Sequence, residues 1–248
     1  MKRKFPWTML ALLLLPSATV FAAATQNTVS NSNKLASYTS MSGTYIALRH
    51  GESVPSSKKI VCSQMANGVD PANGLTDKGK EEVQKSVEEW IKANRKMIAG
   101  FIKADKFVIV SSPFSRTRDT AQILAMTIQK DFKKELPKKY QGADGLTKLV
   151  RVQDSLRERD FGKFEGQGNS GEVYEKVWAI DRKDPTISKW EVESASDVQA
   201  RASQFIVSLE EESKHAGGKL YVLVAHGDTL KIMQTAFQKE SASDHANK

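Results

Sequence analysis

"YIALRHGES", residues 45–53, is an apolar run of strand-forming residues that stops abruptly on arginine, histidine, glycine and glutamate. Two later stretches repeat the form: "KFVIVSSPFSR" at 106–116 and "KLYVLVAHGD" at 219–228. Their apolar residues are continuous rather than alternating, the pattern of strands covered on both faces in a parallel sheet. Between them the spacing turns helical. Thr76 stands as an N-cap before Asp77, and Val83, Val87, Ile91, Ile98 and Phe101 carry an apolar stripe towards Lys103. A second helix begins near Ser115, with Ala121, Leu124, Ala125 and Ile128 on one face. A third is expected from Ser196, where Ser196 and Gln199 fit a capping box ahead of Val198, Ala202, Phe205, Ile206 and Leu209. A short fourth follows His226, with Leu230, Met233 and Phe237 inward, and "EVYEKVWAIDRKD" (172–184) also reads as helix.

Strands alternating with helices predict a three-layer α/β/α sandwich with a mostly parallel central sheet and a small cap region. Ligands of such folds bind beyond the carboxyl ends of the strands. Arg49, His50, Gly51 and Glu52 lie at such an end. So do Ser111, Ser112 and Pro113 with Arg116, and His226, Gly227 and Asp228. Three strand exits thus bring two histidines and two arginines towards one site.

The 248 residues are 40% hydrophobic and 27% charged, a composition that supports a core and is not that of a disordered chain. Residues 1–24 have a basic start (Lys2, Arg3, Lys4), an apolar centre at Leu10–Leu15 and small residues at Ala22–Ala24. That is the layout of a cleaved secretory signal peptide, which makes the protein periplasmic or secreted. The apolar centre stops at Pro16, short of the roughly 20 residues of a spanning helix. We expect no membrane insertion after cleavage. Residues 25–43 read as a flexible polar leader, 44–240 as the folded domain and 241–248 as a polar tail in which His245 is solvated.

The net charge of +8 falls to +5 without the leader's three basic residues, enough to attract anions. Aromatics are only 8% and Lys and Arg are scattered, so a nucleic-acid surface is not indicated. A small phosphorylated substrate fits better. With Cys62 the only cysteine, no internal disulfide or cysteine-based zinc site can form.

Facing imidazoles and guanidiniums require an anion between them, and the guanidinium fork matches phosphate oxygens. A neutral histidine can act as nucleophile towards a phosphoryl group, with cations stabilising its oxygens. The alternative is a metal site built from His50, Glu52, His226 and Asp228, which the adjacent Arg49 would oppose.

These motifs resemble the histidine phosphatase (phosphoglycerate mutase-like) superfamily. The resemblance rests on "LRHGE" (48–52), "SSPFSRTRDTA" (111–121), "LRERDFGKFEG" (156–166) and "VAHGDTLK" (224–231), joined by "GLTDKGKEEV" (74–83) and "VESASDVQARASQF" (192–205), in the family's order. It implies that His50 takes the phosphoryl group, that Arg49, Arg116 and His226 hold it, and that Glu158 serves as acid and then base. Glu52 would tune the histidine side or contact substrate. No cofactor is implied. "SVPSSKKIVCSQMANGVDPANG" (53–74) lacks the segment of the cofactor-dependent mutases, so the broad-specificity or fructose-2,6-bisphosphatase-like phosphatases are the nearer branch. A mutase-type phosphotransferase and a non-catalytic binder of phosphate ligands are the alternatives. Residues 133–148 and 167–190 are expected to flank the mouth of the site.

Overall fold

Each of the three apolar runs is a strand that ends where its polar residues begin. The computed structural model describes the backbone of Leu12–Leu15 and, in full, residues 32–248; the rest of the expected signal peptide and residues 25–31 lie outside the described residues. The strands are β1 (Leu12–Leu15), β2 (Thr44–Arg49), β3 (Phe107–Ser111), β4 (Val150–Val152) and β5 (Leu220–Ala225). They form one sheet in the order β1-β2-β5-β3-β4. β2, β5, β3 and β4 are parallel, and β1 pairs antiparallel with β2, Leu12 opposite Leu48. The parallel register sets Arg49 beside Ala225, and Ser111 beside Val224.

Two short helices, α1 (Val54–Ser57) and α2 (Met65–Gly68), follow β2. The long ones are α3 (Asp77–Lys103), α4 (Ser115–Asp131), α7 (Ala195–Ala216) and α8 (Gly227–Gln238), with α5 (Gly142–Leu149) and α6 (Ser170–Asp181) between. Strand residues alternate between two cores, as the two-residue period requires. Ile46, Leu48, Ile109, Val222 and Val224 pack with Val83, Val87 and Ile91 of α3 and with Leu124 and Ile128 of α4. Tyr45, Ala47, Val110, Tyr221 and Leu223 pack with Ala202 and Ile206 of α7 and with Met233 of α8. Helices on both faces explain why the strands read as unbroken apolar runs.

Thr76 caps α3 as expected, its hydroxyl accepting from Gly79 N at 3.0 Å. The cap of α7 is Ser194, not Ser196. Ser194 Oγ accepts from Asp197 N at 3.0 Å, leaving Ser196 inside the first turn and Gln199 free to donate to Thr235.

Three expectations about polar segments need correction. Part of the leader is docked: Leu35 is buried in the α7–α8 core, and Asn33 donates to Ala236 O at 3.1 Å. The C-terminal segment is docked too, as a 3-10 helix over Ala242–Asn247 whose Ala242 packs with Val198 and Ile232. Residues 133–148 do not flank the strand exits. Leu136, Tyr140 and Leu146 pack with the α3–α4 core, and Lys139 pairs with Asp105, just before the start of β3. Their apolar residues are spent on that core rather than on the mouth of the site.

Candidate active site

His50 is positioned by backbone. Its N–H donates to Ala225 O at 3.2 Å, fixing it at the end of β2 beside β5. The next residue must be small. A Cβ on Gly51 would lie 2.6 Å from Gly79 O and 2.6 Å from Val83 Cγ2, so "HGE" and the "LTDKG" entry to α3 form one tight joint. Glu52 belongs to that joint and not to the histidine side. Its carboxylate accepts from Thr76 Oγ1 at 3.0 Å and Lys78 Nζ at 3.1 Å, and the Lys78 hydrogen bond, followed by that of Thr76, lowers its pKa.

The His50 tautomer follows from its partners. Nδ1 lies 2.7 Å from Gly51 O, which can only accept, so Nδ1 carries the hydrogen. Nε2 then presents its lone pair, and Arg116 Nε donates to it at 3.2 Å. Burial, then Arg116, then Arg49 hold the His50 pKa well below the usual histidine value. A neutral imidazole with an unprotonated Nε2 is the nucleophilic form once Arg116 turns to the phosphate.

His226 is fully buried at the N-terminus of α8, its ring centroid 5.2 Å from that of His50. Its Nε2 is 2.8 Å from Ser112 Oγ, and Nδ1 has no hydrogen-bond partner among the described residues. Burial and then Arg116 lower its pKa as well. Arg49 packs against the backbone of Gly227, where a Cβ would come within 3.4 Å of its Nε.

Arg116 is 4% exposed with no carboxylate paired to it among the described residues; its other nitrogens donate to Cys62 O at 2.9 Å and to Cys62 Sγ at 3.6 Å. The Cys62 loop is in turn held by Glu165, which accepts from Ser63 N, Ser63 Oγ, Gln64 N and Asn67 Nδ2. Glu165 therefore acts on the arginine through the loop.

Glu158 is 6% exposed. Its Oε1 accepts from Arg159 N at 3.0 Å, Thr229 N at 3.2 Å and Thr229 Oγ1 at 3.1 Å. Those bonds favour the ionised form, but burial and then the charge of Asp228 outweigh them and raise its pKa. This is the environment of a carboxyl that keeps its proton for use as an acid. Arg201 braces the same segment, donating to Ser155 O at 2.6 Å while paired with Glu193 at 2.8 Å. The "VESASDVQAR" motif thus sets backbone rather than chemistry.

The structure brings His50, Arg49, Arg116, His226 and Glu158 together and leaves Glu52 out. Among the described residues no group of three or more His, Cys, Asp or Glu side chains is arranged to hold a metal ion. Asp228 spends its oxygens on Trp178 Nε1 at 2.8 Å and Arg159 at 3.3 Å. Residues 167–190 do reach the site, through Trp178, which donates to Asp228, and through Tyr174, which lies in the field of Glu158 and Arg116. Tyr174 had no reading of its own in the sequence; its i, i+4 spacing to Trp178 on α6 was the available signal.

The family model described as Histidine phosphatase superfamily (branch 1) matches residues 140–247, a span that includes Glu158 and His226. That match covers less than half of the chain, its C-terminal part, which is similar to this superfamily. No curated protein sequence matches the chain. Solved structures share the fold. A mycobacterial glucosyl-3-phosphoglycerate phosphatase is 23% identical, covering 81% of this chain and 82% of its own, with a TM-score of 0.55. A second, described as mycobacterial hydrolase 1, is also 23% identical over 81% of each chain, with a TM-score of 0.56. The product of a Mycobacterium tuberculosis open reading frame is 18% identical over 82% of this chain and 83% of its own, with a TM-score of 0.53. The family-model match over 140–247 points to phosphoryl-transfer chemistry.

Proposed function

We propose that the protein is an exported, metal-independent phosphomonoesterase that hydrolyses small phosphorylated metabolites through a phosphohistidine at His50. The observation that carries this reading is the pairing of a neutral His50, its Nε2 lone pair facing Arg116, with a buried Glu158 whose pKa is raised. A binding protein requires neither a nucleophile nor an acid.

His50 Nε2 attacks phosphorus in line with the leaving oxygen, forming the N–P bond as the P–O bond breaks. Arg49, Arg116 and His226 take the equatorial oxygens, and the buried Nδ1 of His226 gains a partner there. Arg116 moves its Nε–H donation from His50 to phosphate. Glu158 gives its proton to the leaving alcohol. The resulting carboxylate takes a proton from water, whose oxygen attacks phosphorus and releases His50 and inorganic phosphate.

Export rests on the signal-like residues 1–24 and is tested by the mature N-terminus, expected just beyond Ala22–Ala24 in protein recovered outside the cytoplasm. The enzymatic reading is tested with p-nitrophenyl phosphate and a panel of sugar and glycerol phosphates, with phosphate release as readout. Wild type should turn over and His50→Ala should not. Equal rates for the two would refute the reading, and transfer of phosphate between acceptors without net release would favour a mutase.

A further inference from the structure

His245 stands in a polar C-terminal segment that sequence reasoning leaves in water, yet its side chain is fully buried. Nε2 is 3.0 Å from Asp181 Oδ2 on α6, and Nδ1 is 3.3 Å from Asp228 Oδ1 on α8. Arg159 closes the cluster from the opposite direction. It pairs with both Asp181 oxygens, at 2.6 and 2.8 Å, and with Asp228 Oδ2 at 3.3 Å. Trp178 donates to Asp228 and meets the His245 ring at 87°, centroids 5.8 Å apart. Two buried carboxylates are thus balanced by one arginine and one histidine, and the balance needs the histidine protonated.

This cluster touches the acid of the reaction from two directions. Arg159, whose side chain holds Asp181 and Asp228, donates its backbone N–H to Glu158. Thr229, next to Asp228 in the first turn of α8, donates to the same oxygen through N and Oγ1. From these contacts we infer that His245 is a positioning residue for acid–base catalysis, neutralising Asp228 and fixing the turn of α8 that holds Glu158. The inference rests on the reading of Glu158 as the acid.

The charges around the cluster support the assignment. Burial alone would lower the His245 pKa; the Asp181 hydrogen bond and then the nearby Asp228 carboxylate raise it instead. Burial likewise opposes ionisation of Asp228, yet the adjacent His245, then Arg159, bring its pKa down to about 2. Lys231, with Nζ 4.4 Å over the Trp178 ring, is a further cation in the field of Asp228. Glu158 itself faces Asp228 and Arg116. On the segment's own side, Asp244 is the neighbouring residue and Lys248 pairs with Glu240.

The test is the pH dependence of kcat/KM for an alkyl phosphate such as glycerol 2-phosphate, whose leaving oxygen needs a proton. Its basic limb reports loss of the Glu158 proton. His245→Gln removes a positive charge and should move that limb up by about half a pH unit or more. Asp181→Asn removes a negative charge and should move it down. Loosened packing predicts no such opposite pair of shifts, and urea denaturation of both variants measures packing separately. A limb that stays put in both, or moves the same way in both, overturns the role of His245. If His245→Gln does not fold, the downward shift in Asp181→Asn carries the test, and its absence overturns the role. Glu158→Gln should abolish the limb. A limb that persists there overturns the acid assignment and this inference with it.

Discussion

Gly51→Ala tests why a glycine follows the nucleophile. The added Cβ would meet Gly79 O and Val83 Cγ2 at 2.6 Å, about 0.8 Å inside the 3.4 Å at which ordinary contact begins. One obstacle is the backbone of α3, which cannot swing aside as a side-chain tip can. Overpacking of this kind costs about 1–3 kcal/mol. The relief is a shift of the strand end that carries His50. Misplacing a reacting group by about 1 Å costs on the order of 10²-fold, so a loss of about 10- to 100-fold in kcat/KM is expected. Gly79→Ala attacks the same joint from the helix, its Cβ falling 2.0 Å from Glu52 O. The two substitutions should be non-additive, because either one alone already opens the joint. Urea denaturation by circular dichroism and initial rates on p-nitrophenyl phosphate measure both effects. Wild-type stability and activity in Gly51→Ala would refute the reasoning.

His245 binds its proton more tightly folded than unfolded, so the stability it confers is complete below its unfolded value of about 6.5 and drains as pH rises through its folded value. The stability gap between wild type and His245→Gln should therefore narrow with rising pH in urea titrations; a gap that widens would contradict the buried pair. Chelation by EDTA should leave phosphate release unchanged, and activity lost to EDTA and restored by zinc or magnesium would contradict a reaction run by His50 and Glu158 alone. Arg159→Met leaves Asp181 and Asp228 buried with His245 as the one cation still paired with both among the described residues, and breaking such a pair costs about 3–5 kcal/mol. A loss under about 1 kcal/mol in denaturant titration would show that the cluster is hydrated.

The sheet was legible because its strands are covered on both faces, which writes continuous apolar runs into the sequence. The site was legible for a related reason: a parallel sheet delivers its chemistry at strand ends, so Arg49, His50, Arg116 and His226 each follow an apolar run. Glu158 lies beyond a short 3-10 turn, and it was found through motif resemblance rather than periodicity. Proximity in sequence misled at Glu52. It sits two residues from His50, but Thr76 and Lys78 claim its carboxylate. His245 had no sequence signal at all. Its burial depends on Asp181 and Asp228, which lie 64 and 17 positions earlier and converge only in the folded chain. The cap of α7 failed for a local reason, since Ser194 and Ser196 both offer a capping hydroxyl and only the backbone decides between them.

The central claim is that the phosphoryl group passes through Nε2 of His50. Rapid quenching of the enzyme with a labelled phosphate ester, followed by peptide mapping, tests it directly. The account predicts an acid-labile, alkali-stable label on the peptide containing His50, absent from His50→Ala. Turnover without that label, or a label that persists in His50→Ala, would contradict it.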